Sequence, residues 1–160
     1  MVVNRMLKPQ RRRRGFSLIE MLIVIAIILI ILTIAVPKYQ TAQMHSRETA
    51  VLGAIKTLHT VQVQYYSQYG RYATSLTELG PPTSGAPSPA AADLIDSTMA
   101  SGEKSRYKFT VTANGGGYII SAVPINFGTD GSKTFYSDQS MVVRQNFGAE
   151  PATANSQEMK

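Results

Sequence analysis

Residues 15–21, Gly15-Phe16-Ser17-Leu18-Ile19-Glu20-Met21, lead into LIVIAIILIILTIAV at 22–36 and then into Pro37-Lys38-Tyr39. From Met21 to Val36 there is no charge and one polar side chain, Thr33. Counted from Phe16, the 21 residues to Val36 would span roughly 31 Å as a helix, close to the thickness of a bilayer's hydrocarbon core. A carboxylate at the centre of such a span costs about 2.5–3.5 kcal/mol, and less near its end, so an acidic residue there points to a function and a partner. Glu20 is that residue. Ser17 and Glu20 also fit the S-x-x-E pattern of a capping box, and a first-turn carboxylate complements the helix dipole. The two roles are compatible.

Working outward, Arg11 to Arg14 immediately precede Gly15, and with Arg5 and Lys8 they place six of the sixteen Lys and Arg residues in 1–15, which hold no acid. The formal net charge of +6 is therefore the leader's alone, since ten basic and ten acidic residues follow it. Basic residues flanking an apolar span stay on the cytoplasmic side, which predicts an N-terminus inside and Lys38 onward outside. Without the leader, net charge gives no support to nucleic-acid binding. The competing reading is a secretory signal cut near Ala35; the run is long for one, and a helical pattern continues past it.

GFSLIEMLIVIAIILIILTIAVPKYQ, with the arginines before it, resembles the N-terminal signature of type IV pilins and of the related pseudopilins of type II secretion. The resemblance covers Arg11 to about Tyr39. It implies cleavage after Gly15 by a prepilin peptidase that also N-methylates the new terminal Phe16. It further implies that Glu20 meets the terminal amine of a neighbouring subunit during assembly, and that Pro37 marks a bend or kink in a long helix. Many pilins carry a helix-loosening glycine between that glutamate and that proline; Leu29 stands there in this chain.

The function so implied is that of a structural subunit of a type IV pilus. A major pseudopilin, a minor or tip pilin, and a membrane-anchored binding domain are the alternatives. The implied partners are further copies of the chain in a helical homopolymer, the peptidase/methyltransferase, and an inner-membrane assembly platform with its ATPase. The precursor would sit in the inner membrane and the filament outside it, as an extracellular or periplasmic fibre. No enzyme activity and no cofactor are expected.

Beyond Pro37, Val51, Ala54, Ile55, Leu58, Val61 and Tyr65 recur at three- and four-residue steps, with Arg47, Glu48, Lys56, Gln62 and Gln64 between them. This is an amphipathic continuation of the same helix, ending near Tyr69-Gly70. Ser75-Leu76-Thr77-Glu78 reads as a capping box opening a short helix, in which Ser75 caps and Glu78 reaches back. Residues 80–92 read as an exposed loop, and 93–100 as one or two helical turns stopped by Gly102. The period then changes to two. Tyr107, Phe109, Val111 and Ala113 alternate with polar residues, Asn114 to Gly117 turn the chain, and a second strand runs from Tyr118 to Val123, limited by Pro124. Further strands are expected at Thr134 to Tyr136 and Met141 to Arg144.

The expected fold is α+β: a long N-terminal helix, apolar above and amphipathic below, packed on an antiparallel sheet of about four strands. The expected organisation is a removable leader at 1–15, a helix at 16–69 with its membrane or filament-core part at 16–36, a head at 70–147 divided into a loop region 70–105 and a sheet 106–147, and a flexible tail at 148–160. Cysteine is absent, so no disulfide can close the head.

Other motifs favour plain structural readings. His45 and His59 are fourteen residues apart on one helix, too far to share a metal. Asp130 and Asp138 flank a glycine-containing turn and form a weak Ca²⁺ candidate, outweighed by a turn role. Thr83, Ser84 and Ser88, set among prolines, are candidate O-glycosylation sites. The Gly115–Gly117 run joins two strands instead of opening a helix, so it is not a phosphate loop. Tyr65, Tyr66, Tyr69 and Tyr72 should wedge against the sheet with their hydroxyls wet.

Processing is directly checkable. Mass spectrometry of the assembled protein should show an N-terminus at methylated Phe16, and Gly15→Val should leave the leader attached. A chain beginning near Val36 would support the secretory-signal reading instead.

Overall fold

The computed structural model describes residues 15–114 and 116–159; leader residues 1–14, with all of the leader's arginines, and Gly115 of the glycine turn lie outside the described residues. The chain divides into two compact units between Lys38 and Tyr39. One helix, α1 (Leu18–Tyr69), contributes to both.

In the first unit every described residue is exposed. An 18-residue window of α1 reaches a mean hydropathy of 3.2 with none of it buried, so it has the length and composition to cross a membrane. The run's one polar side chain is satisfied inside the helix, where Thr33 Oγ1 donates to the carbonyl of Ile30 at 2.7 Å. Pro37 lies within α1, and the backbone is helical on both sides of it. A proline has no N–H to offer the carbonyl four residues before it, here that of Thr33.

The second unit is built on the remainder of α1. Val51, Ile55, Leu58 and Tyr65 are fully buried, Ala54 and Val61 nearly so, and all join one core with residues of the sheet. The helical period of the sequence therefore marks the buried face. It marks it incompletely, because Glu48 and Gln62, expected on the polar face, are buried as well. α1 ends where Gly70 adopts φ +70° and its N–H bonds the carbonyl of Tyr66 at 2.8 Å, a left-handed position that suits glycine.

Two short helices follow, α2 (Leu76–Leu79) and α3 (Ser97–Ala100). Ser75 caps α2, its side chain accepting from the N–H of Glu78. The reciprocal half of the expected box is displaced by one residue. Glu78 reaches back to the N–H of Thr74 at 2.8 Å while also pairing with Arg71. Asp96 caps α3 through the N–H of Met99 at 2.7 Å.

The sheet is a six-stranded antiparallel meander in sequence order, β1 (Glu103–Lys104), β2 (Tyr107–Asn114), β3 (Gly117–Pro124), β4 (Thr134–Asp138), β5 (Val143–Asn146) and β6 (Gln157–Glu158). The β2–β3 hairpin has Asn114 opposite Gly117 and Tyr107 opposite Pro124. Inward-facing Tyr107, Phe109 and Val111 alternate with exposed partners along β2. Gly131 is required by close packing: a Cβ there would meet the Tyr107 ring and hydroxyl.

Six strands replace the four expected because β1 and β6 have two residues each, too short for an alternating pattern to show. β5 also begins two residues later than expected: Met141 takes φ +61° and its N–H closes a turn to the carbonyl of Asp138. The tail is not loose. Ala152 is buried, Thr134 Oγ1 donates to the carbonyl of Glu150 at 2.9 Å, and Arg144 bonds the carbonyl of Ser156 and the carboxylate of Glu158. Backbone pairing outweighs the polar composition of these residues. The 80–92 stretch is mostly exposed but likewise fastened, by the Tyr65 hydroxyl on the carbonyl of Pro89 at 2.6 Å and by backbone bonds from Ala92 to Glu78 and from Leu94 to Leu79.

Leu58 is fully buried at the centre of this core, whereas Val63, on the same helix, is 48% exposed. In urea unfolding of the detergent-solubilised chain, Leu58→Ala should lose about 2–5 kcal/mol, and Val63→Ala should stay within about 0.5 kcal/mol of the parent.

Candidate functional site

The N-terminal site is small and exposed. Ser17 N–H donates to Glu20 Oε2 at 2.8 Å, and Met21 N–H bonds the carbonyl of Ser17 at 3.3 Å. Glu20 thus reaches back over the first turn as a capping residue does. No cation pairs with it among the described residues, and Phe16 beside it is 79% exposed. A carboxylate that caps its helix, and that no described cation neutralises, precedes a run of exposed Leu, Ile and Val.

In the head, polar residues of α1 are tied to the sheet and its loops. Asp130, fully buried, receives Arg47 at 3.2 Å and Arg106 at 3.0 Å on Oδ1, and the N–H and side-chain amide of Asn126 on Oδ2. Glu48 accepts from both the N–H and the hydroxyl of Ser132 at 2.9 and 2.7 Å, with Lys133 at 3.8 Å and His45 at 3.6 Å from its other oxygen. Gln62 forms a two-way bond with the backbone of Ala73, at 2.9 and 3.0 Å. Together these clamp α1 to the β3–β4 loop and to the segment after the helix.

Asp130 and Asp138 do not share a site of the sort Ca²⁺ needs. Asp130's oxygens are taken by two guanidinium groups and Asn126, and Asp138 holds the turn at Ser140 through its N–H and hydroxyl. The hydroxyl bond of Ser140 keeps the Asp138 carboxyl below its usual range. Among the described residues no three His, Cys, Asp or Glu side chains group in a way that could hold a metal ion.

His59 is more than an ordinary helix residue. It is buried, with Nδ1 2.8 Å from the Tyr118 hydroxyl and Nε2 2.8 Å from Ser137 Oγ. Ser137 spends its only proton on the carbonyl of Val142 at 2.9 Å, so Nε2 must donate and Nδ1 must accept from Tyr118. Protonation would leave two N–H donors, one facing a hydroxyl that now donates. Burial lowers the His59 pKa from 6.5, with nearby Asp138 acting the other way. Burial likewise pushes Tyr118 up to about 12.

The tyrosines make tilted ring contacts, Tyr65 with Tyr69 and, separately, Tyr66 with Tyr72 and Tyr72 with Tyr118, all with ring centroids 4.7 to 4.8 Å apart. The hydroxyl of Tyr65 is not wet as expected, being bonded to Pro89. Sequence reasoning also missed Glu48, His59 and Gln62 as contacts. Their signal was their phase, for Glu48 and Gln62 continue the spacing of Val51, Ile55, Leu58 and Tyr65.

An exposed helix of membrane-spanning length preceding a helix-backed antiparallel sheet defines the class as α+β. Residues 10–36 match the family described as the prokaryotic N-terminal methylation motif. The type IV major pilin protein PilA of Myxococcus xanthus (strain DK1622) is 39% identical over 69 residues, which is 43% of this chain and 31% of that protein. The chain thus spans about a third of the length of the curated relative it matches. No solved structure matches. The chain is therefore similar to a type IV pilin over part of its length, with a methylation motif at residues 10–36.

Because His59 binds a proton less readily folded than unfolded, the unfolded state gains protons first as pH falls. The stability that neutral His59 provides is present above pH 6.5 and is lost as pH falls through its lowered folded value. Melting temperatures of the detergent-solubilised chain between pH ~7 and ~5 should decline, and His59→Gln should flatten that decline.

Proposed function

We propose that this chain is a structural subunit of a type IV pilus, of the major-pilin kind, and not an enzyme. One observation carries the reading: an apolar helix with none of its membrane-length window buried begins with a carboxylate that no described cation neutralises. Such a surface has to be covered, by lipid first and by neighbouring helices later. Both environments are similarly apolar, so transfer between them need not expose the run to water. The M. xanthus relative is a major pilin, which supports the same reading, as does the occupation of Asp130 by arginines in place of a calcium loop.

In this reading a prepilin peptidase cuts between Gly15 and Phe16, methylates Phe16, and so creates an amine at the edge of the apolar run. Glu20 pairs with that amine on the adjacent subunit and sets the register. Pro37 supplies a point of bending, since Thr33's carbonyl cannot bond a proline nitrogen. The precursor stands in the inner membrane with its N-terminus cytoplasmic. An assembly platform and its ATPase extract it, and a heterologous interface that does not close yields a filament. Thr83, Ser84 and Ser88, exposed or half-exposed on the 80–92 loop, would present any O-linked sugar at the surface. A major pseudopilin and a minor or tip pilin are the competing readings. Sheared surface filaments in which this chain dominates would separate the major pilin from both.

The Glu20 role is tested by Glu20→Gln as the only subunit present. Gln still serves the third position of a capping box, so a purely local role leaves assembly near normal. Loss of the charge instead leaves a buried amine unpaired, at a cost of about 3–5 kcal/mol per interface. The variant should be made, inserted and cleaved, yet yield few filaments by electron microscopy and shearing; abundant, stable filaments would reduce Glu20 to a cap.

A further inference from the structure

Asp130 balances one of the two guanidinium groups it receives, so one positive charge is left over where α1 meets the β3–β4 loop. That charge is presented by Arg106. Arg47 is largely buried and spends its nitrogens on Asp130, the carbonyl of Thr129 and Gln43. The Arg106 side chain is 60% exposed, touches Asp130 through Nε alone, and makes no other bond from its guanidinium among the described residues. Arg106 lines a cleft of about 150 Å³ together with Gln40, Gln43, Met44, Arg47, Thr129 and Asp130, whose carboxylate oxygens are already occupied by the two arginines and Asn126.

The backbone holds Arg106 there at some cost, since Ser105 and Arg106 take φ +53° and +65° in the turn between β1 and β2. Those are left-handed values that Asn or Gly would adopt with less strain. Two large apolar residues stand exposed on the β3–β4 loop. The N–H of Ile125 bonds the carbonyl of Arg106 at 3.0 Å, and Ile125 and Phe127 are 47% and 41% exposed. Tyr39, also exposed, accepts from the Gln43 amide. A forked cation with tyrosine and aliphatic neighbours is the composition of a membrane–water interface.

The covalent chain limits how far Gln40 of the cleft can lie from the apolar run. Gln40 follows Val36, the end of the apolar run, by four residues, which reach at most about 14 Å in any conformation. We propose that the cleft is a phospholipid site: Arg106 takes the phosphate of an anionic phospholipid in the leaflet facing the head, and Ile125 and Phe127 rest at the acyl boundary. The site seats the head on the bilayer before assembly and is vacated when the subunit leaves. This rests on the membrane-inserted precursor proposed above.

The absence of cysteine allows a single environment-sensitive label at Thr129→Cys, with Ser84→Cys as a distant control. The full chain is reconstituted at low density in phosphatidylglycerol or phosphatidylcholine vesicles, and quenching by aqueous acrylamide is read after flotation. The label at 129 should be protected in phosphatidylglycerol and much less so in phosphatidylcholine, and the label at 84 quenched in both. Arg106→Gln should lower the protected-to-exposed ratio at 129 about fivefold, as expected for one arginine at an anionic surface. A chain that fails to float with vesicles overturns membrane insertion and this site with it. A chain that floats, with label 129 equally quenched in both lipids, overturns the lipid site alone. So does protection that rises with protein density and ignores lipid charge, which would assign the cleft to a second copy. The lipid comparison uses the native Arg106, so it decides even if Arg106→Gln misfolds.

Discussion

The lower half of α1 must be buried for the rest of the head to exist. A helix and a twisted sheet each have one apolar face, and neither is stable alone in water. Here Ile55, Leu58 and Tyr65 on the helix and Tyr107, Ile120 and Phe135 on the sheet share one core. No disulfide reinforces it. Polar contacts serve in its place. Asp130 holds Arg47 and Arg106, Glu48 holds Ser132, and Gln62 holds the backbone of Ala73. All but the Arg106 contact tie a helix position to a segment outside the helix, so a buried carboxylate or amide here fixes the path of a loop. Removing one partner would leave the other buried and unpaired, which makes such pairs restrictive even when their net contribution is small.

The two units obey different solvation rules. From Met21 to Val36 the side chains suit lipid or like helices, and the one polar group in the run is satisfied within the helix. Beyond Tyr39 the interior is packed as in a soluble domain, and the surface mixes polar side chains with exposed Ile125, Phe127 and Phe147. Proline at the division is consistent with that change, since it removes a backbone bond where solvent can compensate.

Much of this was legible in the sequence for clear physical reasons. A 3.6-residue period located Val51 to Tyr65, and a period of two located the β2–β3 hairpin with its turn at Asn114 to Gly117. Ser75 and Gly70 marked helix ends by their backbone chemistry. Strands of two residues carry no period, so Glu103-Lys104 and Gln157-Glu158 could not be seen, and the polar composition of the tail suggested looseness where backbone pairing fixes it. The burial of Glu48, His59 and Gln62 escaped because their partners Ser132, Tyr118, Ser137 and Ala73 come from separate segments. Residue type argued for the surface, while position on the helix argued for the core, and position prevailed.

The terminal strands of the meander have a further consequence for crowding. An exposed β-edge is a template for pairing with an identical edge, and the hazard grows with local concentration. The terminal strands of this sheet are only two residues long and carry charged side chains, Glu103 and Lys104 on β1, which covers Tyr107 and Lys108 of β2, and Glu158 on β6. Copies of the head held side by side at high density would find little backbone to zip together along these two terminal strands. Lateral order in such an array would be left to side-chain contacts and to the apolar helices, and the heads could be packed closely yet separated again without unfolding.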